Sequence, residues 1–165
     1  MAQEVVSLNG LIEAGLTELI GPDDAAITAG EYTNTTDFAL SADLDESGEI
    51  LSVLLVSSES GSGAVQTPAG VLYFFDADPD TSAGDTALVA AGAEHKTLLG
   101  FVTINSTDWV SDASGGAAFK AVSVPFHITA TIYAVFQTAV GANAINSTVG
   151  GDEMIDLNFW YRRDS

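Results

Sequence analysis

The chain is 165 residues long, the length of one domain able to bury a full core without covalent staples. It has no cysteine, which excludes disulfides, thiolate metal sites and a cysteine nucleophile. Four basic residues, Lys96, Lys120, Arg162 and Arg163, stand against 23 acids for a formal charge of -19, a balance that repels phosphate backbones and argues against nucleic-acid binding.

The opening MAQEVVSLNG lacks a basic stretch followed by an apolar one, and no later apolar run is long enough to span a bilayer. Neither secretion nor membrane insertion is therefore expected. Only 16% of residues are charged while 47% are hydrophobic. Two lysines are few for guarding the edge strands of an isolated β protein, so partner subunits are expected to cover some edges.

In chain order, Leu8, Leu11, Ile12, Leu16, Leu19 and Ile20 follow helical spacing, with Asn9 as a cap and Gly21-Pro22 as a stop. Gly10 and Gly15 weaken a helix, and an extended arm lying on a neighbour fits the same residues. Residues 1–24 are thus expected to form an N-terminal arm or short helix, and residues 25–165 the main domain. The period then changes to two: Tyr32, Asn34, Thr36, Phe38, Leu40, Ala42 and Leu44 fall on one side of an extended segment, the pattern of a half-buried strand.

Glu49 to Ser58, with its run ILSVLLV, reads as a second, more deeply buried strand, and the preceding DESG as a hairpin turn. Further strands are expected at Val71 to Asp76, Lys96 to Ile104, Ala118 to Val124, Phe126 to Thr138 and Glu153 to Arg162, each rich in β-branched and aromatic residues and separated by Gly, Asp, Asn and Ser clusters. About eight strands at this spacing give an all-β, single-domain β-sandwich or barrel, with a jelly-roll-like sandwich as the first choice. From Ala113 to Gly150 the one formal charge is Lys120. This stretch is expected to hold central strands, and part of it suits packing against another subunit, where charge is disfavoured.

Candidate chemistry is sparse. His95 and His127 are the two histidines; no G-x-S-x-G elbow occurs, neither sits in a motif that pairs it with a serine, and His127 alternates with strand residues as a packed or hydrogen-bonded side chain would. No catalytic residue is assigned, and no cofactor. Asp76, Asp78 and Asp80 present oxygens at alternate positions with Asp85 beyond them, and Asp43, Asp45 and Ser47 precede Gly48 in a second cluster. These are weak calcium candidates. At the twelfth position stand Ala87 and Leu54 where an EF-hand needs glutamate, and Thr81 replaces the first loop's glycine, so acidic turns explain both clusters better. The sequons at Asn34, Asn105 and Asn146 are chance matches in a Ser- and Thr-rich chain. Arg162 and Arg163 are surface counter-charges or partners for acids on a neighbour. Trp109 and Trp160 supply contact area for a core or an interface.

The segments GEYTNTTDFALSADL (Gly30 to Leu44), VLYFFDADPDTSAGDTAL (Val71 to Leu88), EHKTLLGFVTI (Glu94 to Ile104) and the terminal NFWYRRDS resemble virion proteins of tailed bacteriophages. The resemblance spans most of the chain after about residue 25. It implies a β-sandwich that decorates or cements the outer surface of the capsid, made in the host cytoplasm, with the major capsid protein and its own sister copies as partners, commonly as a homotrimer. It implies no catalytic residue, no metal and no cofactor. A tail, neck or fibre component is the alternative within that class. Outside it stands a carbohydrate-binding or adhesin module, in which exposed aromatic side chains would hold sugars.

Overall fold

A computed structural model describes residues 10–20, 27–40, 46–58, 67–82, 97–112, 115–139 and 154–164. Ten strands run in chain order as β1 (Ile12–Glu13), β2 (Thr17–Ile20), β3 (Thr36–Ala39), β4 (Glu46–Ser58), β5 (Gly70–Phe75), β6 (Leu98–Ile104), β7 (Trp109–Ser111), β8 (Gly115–Thr129), β9 (Thr131–Thr138) and β10 (Met154–Arg163). A one-turn 3-10 helix at Ser106–Asp108 joins β6 to β7, closed by a reciprocal pair of bonds between Asn105 and Asp108.

The strands form two antiparallel sheets. The larger has six strands in the order β1–β10–β4–β8–β7, with β2 also on β10; the smaller has four, β3–β9–β5–β6. The pairing is nested: β2 meets β10, β3 meets β9, β4 meets β8 and β5 meets β6, so early strands pair with late ones. The all-β sandwich read from the sequence is what the chain forms.

Alternation along the strands fills the space between the sheets. β10 turns Ile155, Leu157, Phe159 and Tyr161 inward, β4 contributes Ile50, Val53 and Leu55, and β5 and β9 answer with Leu72, Phe74, Ile132, Ala134 and Phe136. Phe159 lies at the centre, its ring 4.8 Å from Phe38 and 5.7 Å from Phe74, both edge-on, an arrangement that adds to simple burial. On the inner side of the same strand, the Tyr161 hydroxyl donates to the carbonyl of Leu40 at 3.3 Å, so its one polar atom is satisfied.

The expected N-terminal helix does not form within the described residues. Gly10 and Gly15 have φ of +73° and +96°, in the left-handed region that breaks a helix at both points. The chain instead makes two short strands that add to β10, with Ile12, Leu19 and Ile20 buried in the common core. The described part of the arm therefore pairs with its own sheet. Its cap and stop, Asn9 and Gly21-Pro22, lie outside the described residues.

Three strand expectations change in detail. The DESG turn is displaced: Glu46, Ser47 and Gly48 already belong to β4, Asp45 lying outside the described residues. The run ILSVLLV is buried on one face alone, since Leu54 and Val56 stay partly exposed between the buried Val53, Leu55 and Ser57. The break between the two late strands falls at Ala130 and not at Pro125, which sits opposite Glu49 on the outer side of β8, where its missing N–H is tolerated beside ladder irregularities. Thr36 to Leu40 keeps its predicted alternation, with Thr36, Phe38 and Leu40 buried and Asp37 and Ala39 exposed, whereas before it the pattern fails, Thr33 being buried and Asn34 half-buried. Its last two positions, Ala42 and Leu44, are outside the described residues.

At Gly70 the backbone of β5 runs so close to β9 that an added Cβ would overlap the Gln137 carbonyl oxygen and the Phe136 ring. Gly70→Ala is expected to destabilise the protein by about 1–3 kcal/mol, and Phe159→Ala by about 3–5 kcal/mol, in urea unfolding followed by far-UV circular dichroism. Losses well under about 1 kcal/mol would contradict the central placement of these residues.

Candidate functional site

The sequence-derived calcium candidates do not converge. Asp76, Asp78 and Asp80 are all exposed at the end of β5, and Asp78 uses one carboxylate oxygen to accept the Asp80 backbone N–H at 2.7 Å. Asp80 takes φ of +51°, a conformation Asp tolerates in turns. Among the described residues no three carboxylate or imidazole side chains gather where they could hold a metal ion. Asp43, Asp45 and Asp85 lie outside the described residues, as does His95.

His127 does meet a serine, which the sequence could not reveal because the two are 80 positions apart. Ser47 Oγ and His127 Nδ1 are 2.9 Å apart across β4 and β8. Both are on the outer surface, and among the described residues no carboxylate is seen to orient the imidazole. A nucleophile needs that orientation and a set of oxyanion donors besides; what the described residues show is a cross-strand hydrogen bond.

Both sheets carry apolar side chains on their outer faces, and this is the feature that sets the molecule apart. On the smaller sheet Tyr73 on β5 sits between Tyr32, Phe75 and Phe101, with ring centroids 6.2, 6.4 and 6.2 Å away. Burial pushes the Tyr32 and Tyr73 phenols above their ordinary pKa. The Tyr73 hydroxyl donates to Gln137 Oε1 at 3.2 Å, and the Gln137 amide donates on to the Gly30 carbonyl at 3.1 Å. Phe101, at the β6 edge of this cluster, is 62% exposed.

On the larger sheet the outward positions of β4, β8 and β7 form an apolar stripe. Leu54 stands opposite Phe119, Val56 opposite Ala117, and Ala117 opposite Val110. Phe119 is 60% and Val110 81% exposed. Trp160, reaching across from β10, packs its ring 6.3 Å from that of Phe119. Trp109, by contrast, is buried and donates its indole N–H to the Pro68 carbonyl at 3.0 Å.

Charge is kept to the margins of that stripe. Lys120, the lone charge of the neutral stretch, takes the inner side of β8 and reaches toward β6, donating to the Thr103 carbonyl at 2.7 Å and pairing with Asp108 at 2.8 Å. Its hydrogen bond, with a backbone bond from Asn105, holds the Asp108 carboxyl below its usual range. Arg162 pairs with Glu49 at 3.5 Å within the chain, and Glu49 also accepts from Ser123. On the β10 side, Asn158 accepts the Gly15 N–H at 3.1 Å and donates to Glu13, fastening the turn between β1 and β2. Next to it Asp156 faces Glu18 in register, with no cation beside it among the described residues. Desolvation pushes the Asp156 carboxyl above its ordinary pKa.

At the other margin, a depression of about 420 Å³ opens beside Val110, lined by Val56, Ser57, Asp112, Gly116 and Ala117 as well. The Ser57 hydroxyl points the other way, to the inner side of β4 with Val53 and Leu55, buried and without a hydrogen-bond partner among the described residues. Neither the stripe nor this orphan hydroxyl was foreseen: β4 read only as a more deeply buried strand, and which face of β8 looks outward depends on the register with β4.

No family model matches the chain, and no curated protein does. Among solved structures it is similar to dimeric latent PorU from Porphyromonas gingivalis, at 13% identity and a TM-score of 0.37. That alignment takes in all of this chain and 14% of the other, so the chain spans a small part of its neighbour's length. A likeness this distant carries no argument about what the chain does.

The Asp156 environment has a measurable consequence. Its folded-state pKa is raised, so its contribution to stability is fullest at low pH and is lost as pH rises through that raised pKa. Asp156→Asn is expected to raise the thermal midpoint at neutral pH, with the gain shrinking as pH is lowered through the carboxylate range. A pH series of melting curves on both proteins checks this, and a gain that grows on acidification would contradict it.

Proposed function

We propose that the chain is a structural protein that works by covering and holding other protein surfaces, and that it decorates or cements the outside of a phage head, as its sequence resemblance implies. One observation supports this above the rest: a molecule of charge -19 places three of the four exposed large apolar side chains among its described residues, Phe119, Val110 and Phe101, on the outer faces of its two sheets. Apolar surface in that position costs solubility unless a partner covers it. Two such faces suit a protein with two sets of contacts, sister copies and the shell.

The nested strand pairing supports a jelly roll as the finer description of the sandwich, because a long hairpin rolled on itself pairs early strands with late ones in this way. The role needs contact area and no reacting group. Major capsid protein and sister copies, as a homotrimer on the virion surface, are the partners under this reading.

The test is stoichiometric and mechanical. Purified particles are expected to contain the chain in numbers comparable to the main shell protein, and heads stripped of it to rupture at lower temperature until the purified chain is added back. Light scattering is expected to give a trimer. A few copies per particle would move the role to the tail. A monomer that ignores empty heads yet binds a purified glycan would replace the reading with that of a sugar-binding module.

A further inference from the structure

The outer face of the six-stranded sheet has a chemical pattern that selects its occupant. Its middle is apolar, made by Leu54, Val56, Phe119, Val110 and the Trp160 ring. Each flank is acidic. Asp156 and Glu18 lie beyond Val56 on the β10 side, and Asp112 lies beyond Val110 at the depression. From β10 across β4 and β8 to β7 is three strand spacings, so the two acidic flanks are roughly 14 Å apart.

A second copy of this chain is a poor occupant. It would bring another -19 charges and the same acidic flanks against these. The face also has few cations of its own to offer a copy, because Arg162 already holds Glu49 and Lys120 is turned to Asp108 and Thr103 on the other side of β8. What the face presents is negative charge at two points with apolar contact between them.

We propose that this face docks a different protein, one that presents an extended segment with lysine or arginine at positions i and i+4 and a large apolar side chain at i+2. Side chains two apart in a strand share a face, and four residues of strand span about 14 Å, so such a segment laid across the sheet meets both flanks at once. One cation neutralises Asp156 and Glu18. The other enters the depression beside Val110 and pairs with Asp112. The central side chain covers Phe119, Leu54 and Val56. This rests on the structural reading above, and it names the surface and the partner chemistry.

The probe is a cyclised hairpin peptide with Lys-x-Phe-x-Lys on one strand, compared with a Glu-x-Phe-x-Glu analogue and a Lys-x-Ser-x-Lys analogue, using the full chain and following Trp160 fluorescence together with anisotropy of the labelled peptide. The first peptide is expected to bind at least about tenfold more tightly than either analogue, and to weaken as salt is raised. Phe119→Ser is expected to weaken it at least about tenfold and Asp156→Asn about threefold or more, while Phe101→Ser on the opposite sheet leaves it unchanged. Phe119 and Phe101 are exposed, and melting curves confirm that the variants fold. Equal binding of the three peptides, or loss on Phe101→Ser in place of Phe119→Ser, overturns the proposal. So does an oligomer of the chain alone that Phe119→Ser dissolves, since the occupant is then a second copy. The two readings fail separately: selective peptide binding by a chain absent from particles leaves the docking face standing without the head role, and head binding untouched by Phe119→Ser leaves the head role without this face.

Discussion

Strand β10 is the constraint on which the rest of the fold depends. It enters the larger sheet between the N-terminal strands and β4, pairing with β1 and β2 on one edge and with β4 along its whole length on the other. Its inner side chains bring Phe159 against Phe38 and Phe74 of the opposite sheet, and Tyr161 against Phe126 of its own. Long-range pairing of this kind returns stabilisation only after a large loop has closed, so the core is complete when the last strand arrives. Asn158, on the outward side, then fastens the turn between β1 and β2. The two described ends of the chain are thus tied to one another through a single strand.

The same strand sets the boundary of the outer face. Asp156, Asn158 and Trp160 look outward in alternation, so one residue step separates a strained carboxylate, a fully used amide and a large aromatic ring. Asn158 is satisfied on both its atoms by the N-terminal turn, whereas Asp156 is partly removed from water with no compensating cation among the described residues. That difference is a direct result of how β1 and β2 pack: their turn closes over Asn158 and brings Glu18, a like charge, beside Asp156. The N-terminal strands therefore stabilise the sheet and leave one carboxylate in want of a partner.

Much of the sandwich could be read from period-two patterns because each strand has one buried face, as Thr36, Phe38 and Leu40 show against Asp37 and Ala39. The N-terminal segment misled for a physical reason. Ile12, Leu19 and Ile20 satisfy helical spacing by coincidence, while Gly10 and Gly15, in the left-handed region, set the backbone course. The run ILSVLLV read as a more deeply buried strand because Leu54 and Val56 are as apolar as Val53 and Leu55; nothing local says that one pair is partly exposed. The site was less legible still. Phe119, Val110 and Trp160 come from three strands, and only the register that brings β8 between β4 and β7 places them together. The pairing of Ser47 with His127 and the orphan hydroxyl of Ser57 depend on that register too.

The distribution of charge now has a structural explanation. The neutral stretch of the sequence contains β8 and β9, and each is an interior strand of its sheet, flanked by β4 and β7 or by β3 and β5. Interior position alone explains an uncharged inner face but not an uncharged outer one, since the outer face of an antiparallel sheet ordinarily meets water and carries polar residues. On β8 the outward positions are Ala117, Phe119, Ala121 and Ser123, and the strand's one cation is spent on the inner side, stitching β8 to Thr103 and Asp108. A chain with four cations in all places this one where it closes the side of the sandwich. The outer face is left apolar with acidic flanks, a surface that repels its own kind and suits a partner richer in basic residues than this chain is.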